Sequence, residues 1–132
     1  MEKTQKKTED VEIKMDVGKI ELPKIDVEKY IGTKEKIMSA TIHKGSFGLY
    51  LKLLTRTLET FGSGENKTEI KASKILGLQQ DINGVWGYGE GTKLDVFLKK
   101  YKVDNYKELV GKDVILQSQT SKENNIEFIS FN

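Results

Sequence analysis

The chain has 132 residues, enough for one modest domain, and its 36% hydrophobic content leaves the core to be built by packing alone. It has no cysteine, which excludes disulfides and thiolate metal sites, and its 32% charged residues sum to a formal net charge of +2. No apolar run approaches the roughly 18 residues of a membrane span and no hydrophobic stretch follows the basic start, so the composition predicts a soluble, cytoplasmic protein.

Charge is unevenly spread. Residues 1–28 carry six Lys against eight Asp and Glu, whereas residues 29–132 carry sixteen Lys and Arg against twelve acids. The larger segment is mildly basic, a balance that fits a polyanionic partner and fits a solvated mixed-charge surface equally well. The same boundary divides the chain into an N-terminal extension, 1–28, and a folded domain, 29–132. Residues 1–10 have no apolar side chain after Met1 and are expected to be disordered. In residues 11–22, Val11, Ile13, Met15 and Val17 alternate with Glu12, Lys14 and Asp16, and Ile20 and Leu22 resume the pattern until Pro23. That period of two predicts a strand that is half-buried or forms on a partner's sheet edge, which gives a possible route to self-association or to a protein partner.

From Ile31 onward the pattern is that of a folded domain. Thr33–Lys44 alternates and breaks at Gly45-Ser46, predicting one strand. Phe47–Phe61 predicts a second, unusually long and bent, with Phe47, Leu49, Leu51 and Leu53 on one face and Tyr50, Lys52, Leu54, Arg56 and Leu58 on the other. Thr68–Leu78 supplies a third, its apolar phase interrupted by Lys74. The Asn83-Gly84 pair is a hairpin signal, after which Val85, Trp86 and Tyr88 could fold back on the third strand. Thr92 is a predicted N-cap for a helix whose Leu94, Phe97, Leu98 and Tyr101 share one face, and Asp104 is a predicted cap for a further turn closed by Gly111. Two strands, Val114–Leu116 and Ile126–Phe131, finish the chain. Three strands, a helix and two strands is the order of the five-stranded OB barrel, an all-β barrel with a helical insert.

Two groups of residues could carry chemistry on such a frame. Trp86 and Tyr88 share a strand face between glycines, so they can present rings to unpaired bases, although Trp86 could equally cap the bottom of a barrel. The outer face of the second and third strands gathers Tyr50, Lys52 and Arg56 with Lys71 and Lys74, flanked by Lys44, Phe47 and His43. Aromatic rings interleaved with cations are what a single-strand groove requires, and a solvated strand face is the plainer alternative. The glycine-rich segment GVWGYGEGTK lacks both the Gly-Lys-Ser/Thr of a phosphate loop and the dinucleotide spacing. The single histidine, His43, has no acidic cluster around it in sequence, so neither a metal, a cofactor nor an enzyme activity is expected.

The stretches IGTKEKIMSATIHKGSFGLYLKL and YKELVGKDVILQSQTSKENNIEFISF, with the closing phrase ELVGKDVILQ, resemble small OB-fold single-stranded DNA-binding proteins, including those of archaea and their viruses. The resemblance covers residues 29–132 and rests on element order. It implies sequence-tolerant binding of unpaired DNA or RNA, with bases on Phe47, Tyr50 and Trp86 and phosphates near Lys52, Arg56, Lys71 and Lys74. The alternatives are an assembly module that uses residues 11–22, and an accessory subunit with weak nucleic-acid affinity of its own.

Overall fold

The computed structural model describes residues 26–62, 64–123 and 125–132, so the segment predicted to be disordered and the alternating run 11–22 both lie outside the described residues. The first described element is a 3-10 turn, Val27–Lys29, whose Val27 side chain is already part of the hydrophobic core.

Among the described residues, eight strands follow in three antiparallel sheets. β1 (Lys34–Lys36) pairs with β7 (Asp113–Thr120), which pairs with β8 (Glu127–Phe131). β2 (Ser39–Gly45), β3 (Gly48–Phe61) and β4 (Thr68–Gly77) form a meander. β5 (Gln79–Gln80) and β6 (Trp86–Gly87) form a short hairpin. The one α-helix among the described residues, α1 (Lys93–Lys100), lies between β6 and β7. Thr92 caps it as predicted, its side-chain oxygen accepting the Asp95 N–H, and Leu94, Phe97 and Leu98 are buried. The following 3-10 turn, Tyr106–Leu109, is capped by Asn105 rather than by Asp104, because the Asn105 side-chain Oδ1 accepts the Lys107 N–H at 2.8 Å.

The expected five-stranded barrel is not formed: none of the three sheets closes. Two features of the chain account for this. The run Thr33–Lys44, predicted as one strand, splits at Ile37-Met38. Ile37 turns fully into the core while its N–H donates to the Lys112 carbonyl, and the Met38 N–H donates to the Leu54 carbonyl. The residues before the split therefore join β7 and those after it join β3. The second feature is the seam between β4 and β8. These strands lie against one another, but side chains rather than a backbone ladder span the gap: Lys74 Nζ donates to Asn132 Oδ1 at 3.1 Å, and the Phe97 ring of α1 lies 6.4 Å from that of Phe131.

β3 is as long and irregular as its sequence predicts. Its register against β4 shifts between Leu54 and Thr57 and again between Thr57 and Glu59. The Thr55 hydroxyl, buried to 2% exposure, sits at the first shift and accepts the Ala72 N–H at 3.0 Å, a donor the interrupted ladder would otherwise orphan. An unpaired buried amide costs about 1–3 kcal/mol, so this single side chain makes the bulge tolerable. Leu58, predicted to lie outward with Arg56, sits at the second shift and packs against the core instead. Before that shift, Leu51, Leu53 and Thr55 point inward and Tyr50, Lys52, Leu54 and Arg56 do not.

Candidate functional site

Residues directly opposite in an antiparallel sheet share a face, so the register defines the outer surface of the β2–β3–β4 meander row by row. Ser39, Leu54 and Ser73 form one row. Thr41, Lys52 and Ile75 form the next, and His43, Tyr50 and Gly77 the third, with Gly45 opposite Gly48 at the hairpin end. The third row is an aromatic step on a floor of glycines. The His43 and Tyr50 rings stack at 5.6 Å with 21° between their planes, and Thr41 fixes His43 through a 2.7 Å hydrogen bond between Oγ1 and Nε2. Gly77 leaves open space on the far side of Tyr50.

Trp86 joins this face from a separate element. Asp81 organises the β5–β6 turn, its carboxylate accepting the N–H groups of Asn83 and Val85, and the turn returns the chain to put Trp86 opposite Gln80. The half-buried indole then lies over Gly48, where a Cβ would stand 2.6 Å from Trp86 Cη2. Gly48 belongs to the same phase as Tyr50 and Lys52, so the indole extends the Tyr50 step toward the hairpin end. A Cβ on Gly45 would likewise meet Tyr50 Cε1 at 3.1 Å. The two glycines are thus the clearances that seat two rings. Around them the hairpin tips expose apolar side chains: Phe47 is fully exposed, as is Ile82, and Val85 is 62% exposed. Isolated exposed apolar side chains are ordinary on protein surfaces, and contiguous ones are what interaction sites use.

The residues singled out from the sequence divide accordingly. Tyr50, Lys52 and Trp86 are brought together, with Phe47 at the adjoining tip. Lys52 lies between Thr41 and Ile75 and makes no ion pair among the described residues. Tyr88, just after β6, is partly exposed, and its hydroxyl donates to the Asp104 carbonyl at 3.5 Å. Lys44 stands opposite Leu49, in the phase that faces away from Tyr50. Lys71 pairs with Thr57 beyond the first register shift, away from the aromatic step. Arg56 is held by Glu35, Nε to Oε1 at 3.0 Å and Nη2 to Oε2 at 2.8 Å, a two-pronged pair that ties β3 to β1 and already supplies the counter-charge a phosphate would. Lys74 is not on this surface at all. It lies in the inward phase between Ala72 and Leu76, its ammonium 5.7 Å from the centre of the Phe97 ring.

His43 flanks the face predicted from the sequence, but its stack on Tyr50 and the glycine floor are parts of the site that alternation alone does not show. The signal was present in the spacing, since Gly45 and Gly48 flank a two-residue turn and His43 stands opposite Tyr50 once that turn fixes the register. Among the described residues no group of three or more His, Asp or Glu side chains comes together as metal ligands, and no helix is long and apolar enough to cross a membrane. No known protein family, curated protein or solved structure matches this chain.

Proposed function

We propose that the outer face of the β2–β3–β4 meander, extended by Trp86, binds unpaired nucleic acid with little sequence preference. The observation that carries this reading is the His43–Tyr50 stack beside an indole seated over Gly48, with Lys52, which makes no ion pair among the described residues, in the next row. Every base has a π-face, and a base stacked on an aromatic side chain gains about 1–3 kcal/mol whatever its identity. In a duplex those faces are covered by neighbouring base pairs, so the surface selects single strands. Lys52 supplies a cation to the backbone that joins two stacked bases. The proposed activity does not depend on a closed barrel, because the platform is built within one sheet and one hairpin. A cysteine-free chain is compatible with the cytoplasmic setting that such an activity implies.

A titration of the full chain against a fluorescent single-stranded oligonucleotide of mixed sequence tests the reading, with its duplex as control and at two salt concentrations. The single strand is expected to bind preferentially and more weakly as salt rises. Tyr50→Ala and Trp86→Ala are each expected to weaken that binding by roughly tenfold or more. Equal affinity for the duplex, or unchanged affinity in both variants, would overturn it.

One further observation favours a second reading, addition of a strand from a partner. β2 is the terminal strand of its meander, so one of its edges carries no ladder among the described residues. Concentration-dependent dimerisation of the chain in the absence of nucleic acid would support that reading over the first.

A further inference from the structure

We propose that the recess on the opposite side of β4, beneath α1 and beside the ends of β7 and β8, is a binding site for a small molecule bearing a phosphate group. The recess has a volume of about 630 Å³, within the range of roughly 300–1,000 Å³ typical of small-molecule sites. Its wall is unusual in charge. Lys74 enters from β4, and Lys93 and Lys100 enter from the two ends of α1, while Phe97 gives an apolar surface between them. Gln117 and Asn132 complete the polar side, and no carboxylate side chain lines the recess among the described residues.

The position of Lys74 is the informative one. A strand places an apolar residue in the inward phase by default, and here Ala72 and Leu76 obey that rule on either side of a lysine. The partners of its ammonium are neutral: the face of Phe97 and the Asn132 side-chain oxygen. Burial lowers its pKa from the usual lysine value, and repulsion from Lys93 and Lys100 lowers it further. Lys100 donates to the Asn132 main-chain oxygen at 3.0 Å, and Lys93 makes no ion pair among the described residues. The nearest acid of the helix, Asp95, is committed to the Gly91 N–H and to Lys99. Three cations are thus held around one cavity whose lining has no Asp or Glu side chain among the described residues.

A phosphate monoester supplies what is missing: close to two negative charges near neutral pH and three terminal oxygens that accept hydrogen bonds. The neutral amides suit the same ligand. Asn132 accepts from Lys74 through Oδ1 and donates through Nδ2 to Gln117 Oε1 at 3.2 Å, which leaves the Gln117 NH2 group as a further donor. The remaining volume, beside the exposed Val96, takes a flat or apolar group attached to the phosphate.

The test is a titration of the isotope-labelled full chain with adenosine 5′-monophosphate, with adenosine and with inorganic phosphate, followed by two-dimensional NMR. The nucleotide is expected to shift the resonances of Lys74, Gln117 and Asn132 saturably, inorganic phosphate to compete with it, and adenosine to leave them in place. Lys74→Met, which keeps the apolar stem, and the exposed Lys93→Ala are each expected to weaken nucleotide binding at least fivefold. A single-stranded oligonucleotide bound on the outer face is expected not to displace the nucleotide. Absence of a saturable response, an equal response to adenosine, failure of phosphate to compete, displacement by the oligonucleotide, or undiminished binding in both variants would each overturn the proposal. Failure of the oligonucleotide to bind at all would count against the outer-face reading and leave this one standing.

Discussion

The two sides of the β4 strand differ in how they are built. The outer side is an aromatic surface assembled from neighbours in sequence: His43, Tyr50 and Trp86 lie within 44 residues, on strands joined by tight turns. The inner side is a cationic recess assembled from four distant elements, with Lys74, Lys93, Lys100, Gln117 and Asn132 contributed by β4, α1, β7 and the end of the chain. The aromatic side needs clearance, which glycines give. The cationic side needs counter-charge, which no Asp or Glu side chain of its lining gives among the described residues. The difference separates a surface that stacks flat groups in the open from a cavity that concentrates positive charge around a small volume.

The strongest way to break the outer side is to fill its clearance. Gly48 has φ +126°, a conformation that side chains rarely adopt, and a Cβ there would stand 2.6 Å from the indole. Gly48→Ala is therefore expected to destabilise the domain by about 1–3 kcal/mol and to unseat Trp86. Gly77→Ala is the matched control. Its position opposite Tyr50 has open space and no positive φ, so its stability is expected to stay within about 0.5 kcal/mol of the parent. Thermal unfolding of both variants, with tryptophan fluorescence as the probe of the indole, separates the two expectations. Equal stability of the two would show that Gly48 does not seat the ring.

Much of the outer side was legible before any coordinates. Alternation through Tyr50, Lys52 and Leu54 marks their common face, but their cross-strand partners follow from the turn between Gly45 and Gly48, of which the sequence shows only the break at Gly45-Ser46. What could not be read was whatever depended on distant chain. Arg56 shares the phase of Tyr50 and Lys52, and nothing near it in sequence announces that Glu35 holds it from β1. Lys74 was assigned outward because it is charged, although its spacing from Ala72 and Leu76 said inward. Alternation was the better guide there, because the neutral partners that make an inward lysine tolerable come from α1 and from Asn132. Barrel closure failed to be legible for a similar reason. The split at Ile37-Met38 falls between two apolar residues, so the alternation carries no mark of it, and the seam between β4 and β8 is decided by side chains 58 residues apart.

The pairing of Arg56 gives a milder way to sharpen the comparison. If the outer side contacts phosphate through Lys52, the substitution Lys52→Gln reduces the slope of log affinity for a single strand against log salt by about 0.7, the value of one released contact. Arg56→Gln is expected to leave that slope unchanged, since Glu35 already neutralises the guanidinium. The same substitution is expected to alter stability by no more than about 1 kcal/mol, because the pair is partly exposed. The reverse pattern, a slope sensitive to Arg56 and indifferent to Lys52, would move the phosphate path off the aromatic rows toward the β1 side of β3.

The smallest expected effect belongs to the inner side and turns on Asp95. Its carboxylate accepts the Gly91 N–H at 2.8 Å and binds Lys99 at 2.9 Å, closing the turn that carries Gly91 and Lys93 to the rim of the recess. The Gly91 hydrogen bond first, and Lys99 second, hold its pKa below the usual aspartate value. A carboxyl whose folded pKa is depressed binds its proton more readily in the unfolded chain, so its contribution to stability is present above the unfolded value, about 3.9, and is lost as pH falls through the folded one. Asp95→Asn is therefore expected to be less stable than the parent at neutral pH, with the gap closing below about pH 4. Loosening the first turn of α1 is also expected to weaken nucleotide binding in the recess while single-strand binding on the outer side stays as it was. An unequal response of the two ligands to one substitution is what two independently built faces require. A parallel loss of both would mean that α1 supports the whole meander, and the two sides of β4 would then have to be treated as one site.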